Sequence, residues 1–316
     1  MINTSRSSSS DGLPFKFCSN HKLLHTYDLV TILTCIINGA SSPVAVAGNS
    51  LILASIWRNP SLRTPTYTFL SFLALADLFI GLLGQPFYVI YRVADLKGYD
   101  KLYCVASAVA HSIVPYLVIL TASTLTSMAV ERWLVMSRRS SLITVRRVYF
   151  IESALLIVPV PYMALRRLPG MDEYFDVPVD SIMEGCMGFC FLAIFTLAYF
   201  RVFRIIRHHQ QQVHSSASIA GQSVIHFEKY KRSVYSILWI VALFVLSYSP
   251  YLLSTVLVKA LNVSYETSLI VLHIGTTSML ISSTLNPFLY VWRLRDVRQE
   301  AKKVIRKILG KLRMLL

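Results

Sequence analysis

The sequence has few charged residues, few cysteines and few glycines for its length. Only 15% of its 316 residues are charged, against roughly a quarter in an ordinary soluble domain, whereas 54% are hydrophobic. The 12 glycines exclude a collagen-like chain, and the five cysteines exclude a small secreted domain held together by disulfides. The apolar content excludes an intrinsically disordered chain. The apolar residues lie in long uninterrupted blocks, which indicates a membrane protein.

Seven of these blocks are long enough to cross a bilayer as a helix, which requires about 20 residues. We predict transmembrane helices at residues 29–57, 66–91, 102–136, 148–165, 179–207, 230–261 and 267–293. The blocks lack the alternating pattern of a transmembrane β-barrel. The expected fold is therefore an all-α, seven-helix transmembrane bundle over residues 29–293, with a polar tail at residues 1–28.

Residues 294–316 are expected to form an amphipathic helix on the membrane surface. Apolar residues recur there at helical spacing, at Val297, Ala301, Val304 and Ile308, and lysines and arginines occupy the opposite face. No cysteine follows Cys190, so palmitoylation of this segment is not expected.

The net charge of +15 could indicate nucleic-acid binding, but the positions of the charges favour a membrane topology. If the N-terminus is outside, 22 of the 31 lysines and arginines fall on the cytoplasmic side. We therefore predict a multi-pass protein of the cell membrane with an extracellular N-terminus and a cytoplasmic C-terminus. Its basic residues would face anionic lipid head groups, with no nucleic-acid partner. The glycosylation sequons at Asn3 and Asn262 both fall on the predicted outer side.

A few polar residues lie within the apolar blocks, where each is costly and therefore a candidate for function. They include Asn49 in the first span, Asp77 in the second and Asn286 in the seventh. A carboxylate at that depth needs hydrogen-bond donors or a cation. Two interpretations stay open: a purely structural polar cluster, or a hydrated, cation-accepting pocket whose occupancy biases two packings of the helices.

Charges and prolines also mark the ends and bends of the spans. Glu131-Arg132-Trp133 closes the third span, either as charges that reach toward the interface or as part of a switch. Pro250 in the sixth span and Pro287 in the seventh each remove a backbone hydrogen bond and mark a place where a helix bends.

Taken together, these residues resemble the rhodopsin-like (class A) G-protein-coupled receptors. The resemblance covers the chain from Asn49 to the tail, and five motifs carry it in the expected order. They are Gly48-Asn49, residues 73–78 (Leu-Ala-Leu-Ala-Asp-Leu), Glu131-Arg132-Trp133, Tyr199 and residues 286–290 (Asn-Pro-Phe-Leu-Tyr).

The resemblance implies a receptor that binds an extracellular ligand inside the bundle and activates a heterotrimeric G protein, without enzymatic activity or a resident cofactor. Glu131 would hold Arg132 at rest, and Arg132 would be released toward the G protein on activation, while Tyr199 and Tyr290 swing inward. The resemblance also implies an allosteric sodium ion. The residues expected to hold it are Asp77, Asn49, Thr121, Ser283 and Asn286.

The sequence departs from the family pattern at several switch positions. Tyr248 replaces the tryptophan of the sixth span, and Tyr230 stands where the family often has an acid that locks the arginine. Raised basal signalling is therefore one hypothesis. The main alternative is a receptor-like protein that does not couple. A transporter or channel is less well supported, because there is no inverted repeat, and a membrane enzyme would need a catalytic or metal pattern that is absent.

The resemblance also suggests a disulfide bond. Cys104 matches the family's half-cystine at the outer start of the third span. Cys186 is the favoured partner, Cys18 is the second, and the absence of a bridge is the third alternative.

Two ligand classes are not expected from the comparison with the family. Val114 stands where amine receptors carry an aspartate, and Leu280 stands where opsins carry the lysine that binds retinal. A small-molecule or peptide ligand of unknown identity is expected in an outer pocket that is mostly apolar or aromatic with a few polar groups. The candidate contacts are His111, Val114, Val118, Glu184, Tyr248, Tyr251, Thr255, His273 and Thr276.

Overall fold

The computed structural model describes residues 28–137, 142–157, 160–161, 190–191, 193–208, 221–260 and 264–315. These residues are helical apart from short connections. In chain order the helices are α1 (Asp28–Arg58), α2 (Pro65–Lys97), α3 (Asp100–Met136), α4 (Val145–Ile157), α5 (residues 193–208), α6 (Gly221–Ala260), α7 (Tyr265–Arg293) and α8 (Arg295–Leu315). Helices α1 to α7 pack as a bundle, and α8 follows α7 after a break at Leu294.

Five helices in the described part of the chain are long and apolar enough to cross a membrane. They are α1, α2, α3, α7 and, within α6, the stretch Ile237–Ser254. The predicted fourth and fifth spans are described only in part, at α4 and α5, and the rest of residues 148–165 and 179–207 lies outside the described residues. The expected all-α bundle is confirmed.

The second helix is longer than predicted. The predicted span ends at residue 91, immediately before Arg92, but α2 continues to Lys97. Arg92 and Asp95 form an ion pair at 2.8 Å one turn apart and are both buried, so these charges satisfy each other within the helix. The helix ends at Gly98, whose φ of 69° is a left-handed conformation that glycine adopts at no steric cost.

The middle of α2 contains a π-helical turn at Ile80–Gly84. A π turn frees backbone groups and often marks a functional region. The carbonyl oxygen of Gly81 accepts a hydrogen bond of 2.8 Å from Ser42 Oγ on α1. A Cβ at Gly81 would lie 3.2 Å from the Val46 backbone nitrogen, so the missing side chain allows this close approach of α1 and α2.

Two apolar clusters fill the bundle, and a polar layer lies between them. One cluster is at the end of the bundle where α8 begins, called here the α8 end, and includes Leu70, Met128 and Tyr290. The other is in the opposite half and includes Tyr88 and Leu117. The polar layer contains Asp77, which lies on α2 between Ala74 of the first cluster and Ile80 of the second.

Helix α8 is amphipathic as predicted, but its apolar face is only partly covered. Val297, Ala301 and Val304 are buried. Ile308, the next residue of the predicted stripe, is 50% exposed. The bundle therefore covers the first half of the apolar face and leaves the second half open.

Candidate functional site

The polar layer joins three helices at the centre of the bundle. Asp77 on α2 is buried, and its Oδ2 accepts a hydrogen bond of 2.7 Å from Asn286 Nδ2 on α7. Asn49 on α1 donates from Nδ2 to the carbonyl oxygens of Ala45 at 2.9 Å and Ser283 at 3.0 Å. The structure therefore brings together Asn49, Asp77, Ser283 and Asn286, four of the five residues expected to hold a sodium ion.

The same layer contains buried oxygens that lack a hydrogen-bond partner. They are Asn49 Oδ1 and Ser283 Oγ, the latter beside the Asp77 carboxyl. Thr121 Oγ1 on α3, the fifth residue expected at the sodium site, is also buried without a partner. Most buried polar groups in proteins are paired with protein or water, so these oxygens have capacity for a further partner. Carboxylate, amide and hydroxyl oxygens are hard donors that suit a small cation or its hydration water. The residues present therefore fit a sodium ion.

Helices α1 and α7 pack closely next to this layer, at Gly48 and Pro287. A Cβ added to Gly48 on α1 would lie 2.9 Å from both Cβ and Cγ of Pro287 on α7. Only a residue without a side chain allows this approach. Gly48-Asn49 therefore combines a contact surface with a hydrogen-bonding group at the bend of α7.

Arg132 lies in a buried network at the α8 end. Its Nε is 2.9 Å from Glu131 Oε2, and both side chains are at most 6% exposed. Its Nη2 donates to Thr66 Oγ1 on α2, and Thr66 Oγ1 in turn donates to Glu131 Oε1 at 3.1 Å. Arg132 is thus held by its neighbour on α3 and by the first turn of α2. Trp133, the third residue of this motif, packs against the surrounding apolar cluster.

Two buried tyrosines lie near the α8 end, Tyr199 on α5 and Tyr290 on α7. Tyr199 packs against Phe195 with ring centroids 4.6 Å apart and lies within the electrostatic influence of Arg132. The Tyr199 hydroxyl has no hydrogen-bond partner, whereas the Tyr290 hydroxyl lies beside the Asp77 carboxyl. An unpaired buried hydroxyl is costly, so Tyr199 would gain from a rearrangement that supplies a partner.

The first turn of α2 also contacts α8. Tyr67 donates from its hydroxyl to Asp296 Oδ2 at 2.9 Å. Thr66, which holds Arg132, is the preceding residue. Adjacent residues of α2 therefore touch the arginine network and the start of α8.

In the opposite half, aromatic side chains of α6 contact one another on both sides of Pro250 in the sequence. Tyr248 stacks on Phe244 with centroids 5.6 Å apart and an interplanar angle of 12°. It also packs against Tyr251 at 5.6 Å. Tyr248 thus fills the place of the family's tryptophan as part of an aromatic stack.

The candidate ligand contacts are only partly brought together. His273 on α7 is buried and lies 3.4 Å from the Tyr88 hydroxyl through Nδ1. Thr277 donates to that hydroxyl at 3.5 Å and accepts from Asn38 Nδ2 at 3.1 Å. His273 therefore faces α1 and α2, in a polar chain that was not predicted.

The remaining candidates lie in different settings. Val114 and Val118 are buried in the apolar cluster of this half, whereas His111 is exposed and contacts the Tyr91 ring at 5.6 Å. Thr276 donates its hydroxyl to the Leu272 carbonyl of its own helix at 2.9 Å. Glu184 and the side chain of Thr255 lie outside the described residues.

The predicted modifications involve residues beyond the described part of the chain. Cys35 and Cys190 are free thiols, and Cys104 is buried. Cys18 and Cys186, the two proposed partners of Cys104, lie outside the described residues, as do Asn3 and Asn262. The disulfide and glycosylation therefore stay predictions.

Several buried hydrogen-bonding residues of the bundle are not among the candidates that the sequence analysis named. Gln85 donates to Ser41 Oγ at 2.8 Å, and Glu152 accepts from Thr124 Oγ1 at 2.6 Å, with both side chains fully buried. A complete survey of polar residues within the predicted spans would have marked Gln85 and Tyr88. Thr66 carries no such signal, because its role depends on the packing of α2 against α3.

Comparisons with known proteins agree with this arrangement. The family described as "7 transmembrane receptor (rhodopsin family)" matches residues 48–164. The human adenosine receptor A2a is 23% identical over 298 residues, which cover 84% of this chain and 70% of that receptor. The histamine H2 receptor of Cavia porcellus is 25% identical over 281 residues, covering 81% and 74% of the two chains.

A solved structure shares the fold. Squid rhodopsin matches with a TM-score of 0.74 and 16% sequence identity. The match covers 89% of this chain and 87% of the squid protein. The chain therefore shares the helical-bundle fold of squid rhodopsin.

Proposed function

The chain belongs to the rhodopsin-like (class A) G-protein-coupled receptors, and on that premise we propose that it binds an extracellular ligand and activates a heterotrimeric G protein through Arg132. The receptor class follows from the family. The coupling mechanism, the ligand site and the bound ion are the proposal.

The observation that carries this proposal is the buried network of Glu131, Arg132 and Thr66. A buried arginine is stable only when its charge and donors are satisfied. Here the partners come from α2 and α3, at the end of the bundle where a cytoplasmic protein would dock. A docking protein that offers carbonyl oxygens to Arg132 would compete with these partners and stabilise a second arrangement.

Tyr199 and Tyr290 would supply partners for that second arrangement. Both hydroxyls are buried; that of Tyr199 is unpaired, and that of Tyr290 lies beside Asp77. An inward shift of both would let them pair with each other or with Arg132 through water. Ligand and G protein would then each favour the same packing of the helices, which makes their binding mutually cooperative.

The ligand is proposed to enter at the end opposite α8. Aromatic side chains of α6 and the polar chain of His273, Tyr88 and Thr277 lie in that half. This mixture of rings and a few polar groups is typical of sites for small molecules. The named relatives are receptors for adenosine and histamine, and we carry over from them only that the ligand is a small molecule.

A sodium ion is proposed to bind in the polar layer. Asp77 would supply the charge, and the unpaired oxygens of Asn49, Thr121 and Ser283 would supply further ligands or contacts to its water. An ion that links these helices would stabilise the resting packing.

The proposal is tested by ligand-free signalling. G-protein dissociation is measured in cells for each class of α subunit, with wild type, Glu131→Gln, Thr66→Val and Arg132→Ala. Glu131→Gln and Thr66→Val should raise basal activity, because losing an interaction of about 1 kcal/mol shifts a two-state equilibrium about fivefold. Arg132→Ala should abolish the response.

Thr68→Val is the matched control for Thr66→Val. The Thr68 hydroxyl donates only to the Thr64 carbonyl of its own helix, at 3.0 Å, so this variant should signal like wild type. A signal unchanged by Arg132→Ala would contradict the coupling mechanism. Silence of wild type and Glu131→Gln with every α subunit, at normal surface expression, would favour the alternative that the protein does not couple.

A further inference from the structure

At the α8 end, the side chain of Arg293 packs against two indole rings. The guanidinium carbon of Arg293, the last residue of α7, is 4.0 Å from the ring centroid of Trp292 and 4.6 Å from that of Trp239 on α6. The two indoles contact each other at 6.0 Å with an interplanar angle of 67°. Helices α6 and α7 are therefore joined here by an arginine and two tryptophans.

Arg293 lacks a protein counter-ion within the described residues. It forms no ion pair or hydrogen bond there, and its Nε is buried without a partner. The nearby acids are already engaged, since Asp296 accepts from Tyr67 and Glu300 pairs with Lys303. Cation–π contacts use the charge of a guanidinium but leave its N–H donors open to a planar, negatively charged acceptor.

The surface that leads away from Arg293 is apolar and exposed. It is formed by side chains of α6 and α7 that are between 42% and 71% exposed, namely Trp239, Leu246, Leu285, Phe288 and Trp292. The helices run antiparallel, so the Trp239–Trp292 contact places Leu246 and Leu285 at a similar depth. This apolar surface, called here the seam, is about two helical turns long and has the cation of Arg293 at one end. A phospholipid, with a charged headgroup and apolar acyl chains, is complementary to it.

We propose that this seam binds one acidic phospholipid of the leaflet at the α8 end. The headgroup oxygens accept from the free N–H donors of Arg293, and the acyl chains lie along the apolar side chains of α6 and α7. Arg295 and Arg298 follow within five residues, which favours a headgroup with net negative charge over a zwitterionic one. The site needs only the membrane-spanning bundle and does not depend on the proposed coupling to a G protein.

Quenching of tryptophan fluorescence by brominated lipids tests this site. The full chain is placed in phosphatidylcholine nanodiscs, with increasing mole fractions of dibrominated phosphatidylserine or dibrominated phosphatidylcholine. Bromine quenches indoles in contact with the labelled acyl chains, and Trp239 and Trp292 are two of the four tryptophans. We expect half-maximal quenching at a mole fraction about tenfold lower for the serine lipid, as for one charge-assisted hydrogen bond.

Arg293→Gln should remove this preference and leave quenching by the choline lipid unchanged, which also shows that the indoles remain at the lipid surface. Arg204→Gln is the matched control, because Arg204 also contacts an aromatic ring, that of Phe200 at 5.8 Å, but lies on α5. It should retain the preference. Equal quenching by both lipids in wild type, or an unchanged preference in Arg293→Gln, would overturn the proposal. So would an equal loss in both variants, which would indicate a collective effect of charge.

Discussion

Buried polar atoms without a hydrogen-bond partner show where a second packing of the helices, or a bound ion or water, would gain contacts. Some of the unpaired buried oxygens lie on Asn49 and Ser283 in the Asp77 layer, and another is the hydroxyl of Tyr199, which lies near Arg132. Buried polar groups without a partner each cost about 1–3 kcal/mol. A stable fold tolerates them where an ion, a water molecule or an alternative packing supplies the missing partner, so their positions indicate the mechanism more directly than the residues that are already paired.

Replacing Asp77 by Asn should remove the response to sodium. The substitution keeps the shape of the side chain and its contact with Asn286 but removes the charge that would attract a cation. For wild type, sodium at ten times its dissociation constant adds about 1.4 kcal/mol to the folded state, which raises the melting temperature by a few degrees. The measurement is thermal unfolding of the purified protein in sodium chloride against choline chloride.

Glu152→Gln provides the control for that measurement. Glu152 is also a fully buried carboxyl within the bundle, and it accepts a hydrogen bond from Thr124 rather than from the Asp77 layer. Its variant should keep the full difference between the two salts. A sodium response that persists in Asp77→Asn, or that disappears in Glu152→Gln as well, would contradict an ion site at Asp77.

At the scale of helices, the contact between α1 and α7 depends on the missing side chain of Gly48. A methyl group there would lie 2.9 Å from the rigid ring of Pro287, so Gly48→Ala should lower the free energy of unfolding by about 1–3 kcal/mol. Gly39 is on the same helix with nothing within 4 Å of an added Cβ. Gly39→Ala should be neutral or stabilising by up to about 1 kcal/mol. Equal melting temperatures for the two variants would contradict the packing role of Gly48.

The helices were predictable from sequence to the extent that length and hydropathy define a span. The span predicted from that criterion ends at residue 91, whereas α2 continues to Lys97, because Arg92 and Asp95 neutralise each other within the helix. The polar residues of the site on α1, α2 and α7 were also only partly predictable. Asn49, Asp77 and Asn286 stood out within apolar blocks, whereas Thr66 and His273 acquire their roles only from neighbouring helices.

The whole molecule is asymmetric, with its positive charge concentrated at one end. The arginine network, α8 and Arg293 all lie at the α8 end, and the proposed topology places 22 of the 31 lysines and arginines on that side of the membrane. Arg92 belongs to the minority on the other side, and its pairing with Asp95 reduces the net charge there. The proposed G-protein contact therefore requires that the α8 end faces the cytoplasm, and in that orientation the proposed lipid site faces the leaflet that carries the anionic lipids.

Glycosylation and epitope accessibility test that orientation in one experiment. Ser264, the third residue of the sequon at Asn262, is exposed and caps the start of α7, where its Oγ accepts a hydrogen bond of 3.3 Å from the Thr267 backbone N–H. Ser264 lies at the opposite end from α8, so we expect an extracellular position of that end to make the sequon accessible to oligosaccharyl transferase. Glycosidase treatment should increase the gel mobility of the wild type, and an Asn3→Gln, Asn262→Gln double variant should show no shift.

The same cells should expose an epitope tag placed after Leu316 only once the plasma membrane is permeabilised, because a basic flank is retained on the cytoplasmic side. Staining of that tag in intact cells would contradict the orientation. It would also place Arg132 and α8 outside the cell, where neither a G protein nor the cytoplasmic leaflet could reach them. The network at Arg132 can therefore act as a coupling site only in the orientation that the distribution of basic residues predicts.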